Sequence, residues 1–214
     1  MIECEIFKLV DFYDPILRQP TIAWDHKKHD PKQSEYLAFS LAETLKHLGG
    51  IGLSANQVGL NHRVCVLNMG GEIWTLFNPK IVDHGLEPAT YQEGCLSYPG
   101  LYLKVPRYNH IKVKFQAVYG QDVVQDFDGL TAVCVQHELD HLDGIVYTDK
   151  VSSMKLEQAK RKVKKNLKKM KAFVEQQRMM KAMQETDDEF KLQPPPKVQE
   201  NSENKSSKFV YSTG

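Results

Sequence analysis

The stretch Gln136-His137-Glu138-Leu139-Asp140-His141 places two histidines four residues apart, with a glutamate beside the first. On an α-helix, residues i and i+4 share a face one turn apart, so His137 and His141 can offer two imidazoles to one metal ion. Glu138 then stands at the site and can act as a general base toward water held there. Imidazole nitrogen suits a borderline-soft divalent ion. The bland alternative is a solvated helix face with two surface histidines. The flanks bound the helix: it starts after Asp128-Gly129, runs to about Asp143 and stops at Gly144.

Working outward, Ile111, Val113, Phe115 and Ala117 alternate with Lys112, Lys114 and Gln116, the pattern of a half-buried strand. Gly120-Gln121 turns the chain into a second run, Val123 to Phe127. Arg63 to Asn68 and Ile73 to Phe77 flank Met69-Gly70-Gly71 and read as a hairpin that ends at Asn78-Pro79. Leu37, Leu41, Leu45 and Leu48 follow helical spacing, and Gly49-Gly50 stop that helix. Asp14-Pro15 and Gln19-Pro20 mark an early loop. Strands and helices without regular βαβ alternation predict an α+β fold, with mixed or antiparallel sheets packed around the His-Glu helix.

Two further segments can carry chemistry. A hydrolytic metal needs a third ligand and an open fourth position. Glu93-Gly94-Cys95-Leu96-Ser97 is the candidate source, since Gly94 lets the backbone approach closely. A small buried apolar cysteine is the commoner fate of such a residue. The second is Gly50-Ile51-Gly52-Leu53-Ser54-Ala55-Asn56-Gln57-Val58-Gly59, whose Gln57 can donate an amide hydrogen to a developing oxyanion. No Gly-Lys-Ser/Thr follows, which excludes a phosphate-binding loop.

Composition narrows the class. The 214 residues, 13 Gly and 10 Pro exclude a collagen-like or low-complexity chain. The apolar runs fall short of the ~18 residues a membrane span needs. Residues 1–12 lack the basic segment and apolar run of a signal peptide and the arginine richness of a transit peptide. Cys4, Cys65, Cys95 and Cys134 are too few and scattered for a disulfide framework, so a reduced cytosolic setting is expected.

In this order, the three segments resemble the signature motifs of the peptide deformylase family: Gly50–Gln57, Glu93–Ser97 and Gln136–Gly144. Asp14-Pro15-Ile16-Leu17-Arg18 extends the likeness, which spans roughly residues 5–155. The resemblance implies hydrolytic removal of the formyl group from N-terminal formylmethionine of new proteins, giving formate and a free methionyl N-terminus. It implies Cys95, His137 and His141 as metal ligands with water or hydroxide in the fourth position. Fe(II) is the usual metal of the family, and Zn(II), Ni(II) or Co(II) can occupy the same ligand set.

Carried over by motif, Glu138 is general base and then acid, while Gln57 and the Leu96 backbone N–H stabilise the oxyanion. Gly52 and nearby backbone would pair with the peptide as a strand. Ile51, Leu96, Leu130, Val133, Cys134 and His137 match positions lining the methionine pocket, with Tyr91 replacing an aliphatic residue; each taken alone reads equally as core. Glu93 and Arg107 match a pair that buttresses the cysteine loop. Ser54, Asn56, Tyr98 and Tyr102 depart from the common pattern, in ways that bear on substrate preference and not on the reaction.

The rest of the chain differs. Residues 1–154 carry 13 basic and 19 acidic side chains, −6, whereas residues 155–171 carry 9 basic and 1 acidic, +8. Leu156, Val163, Leu167, Met170 and Val174 form a helical stripe among these cations. The expected organisation is a catalytic domain over 1–152, a basic amphipathic helix over 153–185 and a disordered tail over 186–214. In bacterial members of the family the C-terminal helix meets the ribosome, so binding of ribosomal RNA through 155–174 is implied; docking on the catalytic domain is the plain alternative. A monomer is expected, in the bacterial cytoplasm or, if phage-encoded, that of the host. Two other readings stay open at this point. One is a generic His-Glu metallopeptidase, and the other an RNA-binding module with a structural metal.

Overall fold

The computed structural model describes residues 4–192, with side chains described through Lys181. The chain divides into two compact units, one ending at Lys165 and the other beginning at Asn166. The first unit holds helix α1 (Pro31–Leu48), strands β1 (Gly52–Ser54), β2 (Val64–Met69), β3 (Glu72–His84), β4 (Pro88–Cys95), β5 (Tyr98–Tyr108), β6 (His110–Gln116) and β7 (Asp122–Asp128), then helix α2 (Gly129–Leu142). Helix α3 (Ser153–Leu192) begins in it.

One antiparallel sheet has the order β1-β2-β3-β6-β7, and β4 pairs with β5 in a separate hairpin. The arrangement is α+β, as the sequence predicts. Strand β2 explains how the sheet sits. Successive strand residues face opposite sides, and β2 is apolar on both. Val64 and Val66 join Leu41 and Leu45 of α1 in one core cluster. Cys65 and Leu67 join Val135, Leu139 and Leu142 of α2 in another. The sheet is therefore clamped between α1 and α2, which explains why α2 is apolar on the face opposite its histidines. A third cluster, Leu17, Leu101, Leu103, Val105, Val146 and Tyr147, lies under the β4–β5 hairpin, and Leu156, Ala159 and Val163 of α3 pack against it.

Local chemistry fixes the helix ends. At the start of α1, Asp30 Oδ1 accepts from Lys32 N (2.8 Å), while Gln33 Oε1 accepts from Asp30 N (2.9 Å). Gly49 closes it at φ 66°. Gly144 follows α2 at φ 74°, and a Cβ there would lie 2.7 Å from the Gln19 backbone. Only glycine satisfies both that conformation and that approach.

Three expectations need correction or completion. Asn78-Pro79 does not end its strand: β3 runs on to His84 through a register shift between Phe77 and Lys80. Asn78 takes φ 52°, and its side chain binds Trp24 N, Trp24 O and Gln116, so a bulge absorbs the proline. Helix α3 reaches Leu192, past the expected limit at 185, and the remainder of the expected tail lies outside the described residues. On the predicted stripe, Leu156 and Val163 pack, but Leu167, Met170 and Val174 are exposed.

Candidate active site

Helix α2 carries His137, Glu138 and His141 on buried positions, and the end of β4 carries Cys95. Cys95 Sγ and His141 Nε2 are 3.2 Å apart, and one ligand atom from each of Cys95, His137 and His141 lies within 4.8 Å of the others. A thiol and two imidazoles this close form a donor set for a borderline-soft divalent ion, with ring nitrogens spaced by the helical turn. The three residues expected as ligands, from two separate motifs, thus lie together.

Glu138 is 3% exposed, and burial raises its carboxyl to about 7. Its Oε2 has no hydrogen-bond partner among the described residues. A Cβ on Gly52 would lie 2.5 Å from Glu138 Oε1 and 2.7 Å from Cys134 Sγ, so any larger residue would have to displace both side chains. Gly52 pairs with Leu67 of β2, and β1 is the edge of its sheet.

Gln57 lies in a 3₁₀ turn, Ala55–Val58, directly after β1. Its Oε1 accepts from Ser54 N and Ser54 Oγ, both at 3.0 Å. A backbone N–H can only donate, so the Gln57 oxygen must face it and the NH₂ faces the other way. That NH₂ donates to Ser97 Oγ (3.0 Å) and reaches Cys95 Sγ at 3.5 Å. Leu96 sits between Cys95 and Ser97, with its side chain packed against the first core cluster and close to Gly50.

The expected support pair is also present. Arg107 on β5 grips Glu93 through Nε (2.6 Å) and Nη2 (3.1 Å), and His137 Nδ1 donates to Glu93 Oε2 (2.9 Å). Burial alone would raise the Glu93 carboxyl, but His137 and Arg107 hold it below its ordinary value. His137 is likewise disfavoured by burial, yet bonds to Cys95 and Glu93 and the nearby Glu138 raise it to about 10. His141, which lacks such an anionic partner, is pushed well below its ordinary value by burial and by His137.

The structure separates the expected pocket residues. Val133 is buried and Cys134 half-buried. Ile51 is 66% and Leu130 75% exposed, so neither is core. Apolar side chains this open beside Gly52 and at the start of α2 are available to a ligand. Three contributors were not assigned a role from sequence, although Asn56 stood out as a departure from its motif. Ser97 receives the Gln57 amide, Asp140 binds Arg107 and Lys150, and Asn56 donates to the His141 carbonyl. Ser97 and Asp140 lie inside the motifs already quoted, and position within a motif was their available signal.

Comparison with known proteins agrees with this geometry. The family model for polypeptide deformylase matches residues 6–157. A peptide deformylase of Chromobacterium violaceum is 44% identical over 126 residues, covering 58% of this chain and 75% of that protein. One of Alkalilimnicola ehrlichii is 39% identical over 164 residues, covering 75% and 90%. The crystal structure of a peptide deformylase from Legionella pneumophila superposes with a TM-score of 0.69 at 31% identity, covering 78% of this chain and 98% of that one. The match spans the sheet, both flanking helices and all three motif segments, and so the chain belongs to the polypeptide deformylase family, metal-dependent hydrolases that deformylate N-formylmethionyl peptides.

Proposed function

We propose that Cys95, His137 and His141 hold one divalent metal ion at which the formyl group of N-formylmethionyl nascent chains is hydrolysed, with Fe(II) the working metal and Zn(II), Ni(II) or Co(II) able to substitute. The observation that carries this reading is the convergence of those three donors beside a buried, unpartnered Glu138 oxygen. A bound divalent ion supplies Lewis acidity, polarising the formyl carbonyl and lowering the pKa of water toward ~7 from about 15.7.

The chain's own residues do the rest. Glu138 takes a proton from the attacking water and passes it to the departing amine, a task suited to a carboxyl raised to about 7. The Gln57 NH₂, fixed by Ser54, and the Leu96 backbone N–H stabilise the oxyanion. Glu93 and Arg107 hold His137 in one orientation. The peptide adds a strand to the free edge at Gly52. Its methionine side chain meets Ile51, Leu96, Leu130, Val133 and Cys134. Gln57 and the Glu93–Ser97 segment favour this reading over a generic His-Glu peptidase, which needs neither.

Residues 1–152 form the catalytic part on this reading. The cationic segment 155–174 binds ribosomal RNA and brings a monomeric enzyme to emerging chains in the cytoplasm, where such substrates arise. Among the described residues, no helix is long and apolar enough to cross a membrane. Anaerobic purification, metal analysis and a formate-release assay on formyl-Met-Ala-Ser test the core of the proposal. One metal per chain and formate release without cleavage of unformylated peptides are expected. Activity lost in air through oxidation of the metal and Cys95 marks Fe(II); equal activity after aerobic and anaerobic purification contradicts it. Ribosome cosedimentation at low salt that survives deletion of 155–214 contradicts the role of the helix.

A further inference from the structure

The two histidines of the cluster are supported differently. His137 Nδ1 has the Glu93 carboxylate at 2.9 Å. His141 Nδ1 is buried with no partner among the described residues, although its Nε2 faces Cys95. A ligating histidine depends on the bond made by its other ring nitrogen, which fixes tautomer and ring orientation. Such a support has to come from a residue already against His141.

Asn56 is against His141. It precedes Gln57 in the Ala55–Val58 turn and is fully buried. Its Nδ2 donates to the His141 carbonyl at 2.5 Å, across 85 positions of sequence. That carbonyl already accepts the Gly144 N–H at 3.0 Å, so the asparagine is not needed to satisfy it. Asn56 Oδ1, in turn, is a buried acceptor with no partner among the described residues. A leftover acceptor on Asn56 and a leftover ring nitrogen on His141 thus belong to two residues tied by one side-chain-to-backbone hydrogen bond. Buried polar atoms without partners are few in native proteins, and two complementary ones on residues in contact call for a common explanation.

We propose that Asn56 is the positioning residue of His141: its NH₂ pins the last turn of α2, and its Oδ1 accepts the His141 Nδ1–H, directly or through one water, when Nε2 holds the metal. Asn56 does for His141 what Glu93 does for His137, with a neutral acceptor in place of an anionic one. The tie also couples the Gln57 turn to a ligand, because Asn56 and Gln57 are consecutive in one rigid turn. This inference rests on the reading of Cys95, His137 and His141 as metal ligands.

The test compares wild type with Asn56→Ala and Asn56→Thr. Zn(II) affinity is measured by chelator competition, the Co(II) form by its visible absorption, and the metal-free protein by thermal unfolding. Asn56→Ala should weaken Zn(II) binding by about 10–100-fold and shift the Co(II) bands. Threonine, which keeps a donor and an acceptor, should restore most of both. Asn56→Leu, close in volume and without polar atoms, serves if the alanine variant does not fold. A lowered unfolding temperature with unchanged Zn(II) affinity and Co(II) spectrum would overturn the proposal, leaving Asn56 a structural tie. Failure of the wild type to bind one ion would instead sink the metal reading beneath it.

Discussion

Helices α2 and α3 both carry charge, but α2 hides its charges and α3 displays them. On α2, Glu138 and His141 are buried, and Asp140 is gripped by Arg107 and Lys150. On α3, residues 155–171 carry nine basic side chains against one acidic, and Lys160 pairs with Glu157 at the surface. A buried charge is costly unless a defined partner holds it, as Arg107 and Lys150 hold Asp140. An exposed charge is screened, and only the sum over the helix matters. The first region places specific groups at one point; the second presents a field of one sign.

That contrast can be broken by substitution, beginning with the proposed ligands. His141→Ala should abolish both metal binding and formate release, and one equivalent of retained metal would show that the ligand set is wrong. Arg107→Ala comes next, since it leaves Glu93 buried without its fork. Removing one partner of a buried pair typically costs about 3–5 kcal/mol, a loss that urea unfolding should register. Gln57→Ala should lower kcat by ~10²–10³ with metal content unchanged.

A gentler probe is pH. His26 and His62 are held below the ordinary histidine value chiefly by burial, with His29 adding repulsion and Asp25 opposing it at His26. Their folded-state values lie below those of the unfolded chain, so unfolded imidazoles bind protons first on acidification. Stability from these rings is complete above about 6.5 and falls as pH drops toward their folded-state values. Replacing either by Gln should flatten that part of the pH–stability curve. Neutralising Lys164, Lys165 and Lys168 together should have the smallest effect on the enzyme. Surface changes of this kind stay within about 0.5 kcal/mol each, and turnover of short peptides should be unaltered. Salt-dependent RNA binding should fall, and loss of turnover would mean that α3 is not a passive field.

The sequence made α2, α1 and the β2–β3 turn legible because each has a strong period and a glycine or proline boundary. It also marked Cys95, His137 and His141, which the structure brings together. The β4–β5 hairpin was not predicted as strands. Leu101, Leu103, Val105 and Arg107 alternate inward on β5, but a buried arginine completes the pattern and Pro106 interrupts it. Arg107 is buried because Glu93 and Asp140 neutralise it, and hydropathy cannot express that pairing. Asn78-Pro79 misled for a similar reason: the bulge depends on Trp24 and Gln116, both distant in sequence. Asn56 was visible only as a departure from a motif, since its partner lies 85 residues away.

Formate release by Glu138→Gln, loaded with one equivalent of metal and assayed beside wild type, tests the central claim most directly. The glutamine keeps the size of the side chain and removes its ability to take a proton. The variant should bind the metal as wild type does and release formate at least ~10²-fold more slowly. A metal-loaded variant that turns over near the wild-type rate would contradict the assignment of the proton-moving step to Glu138.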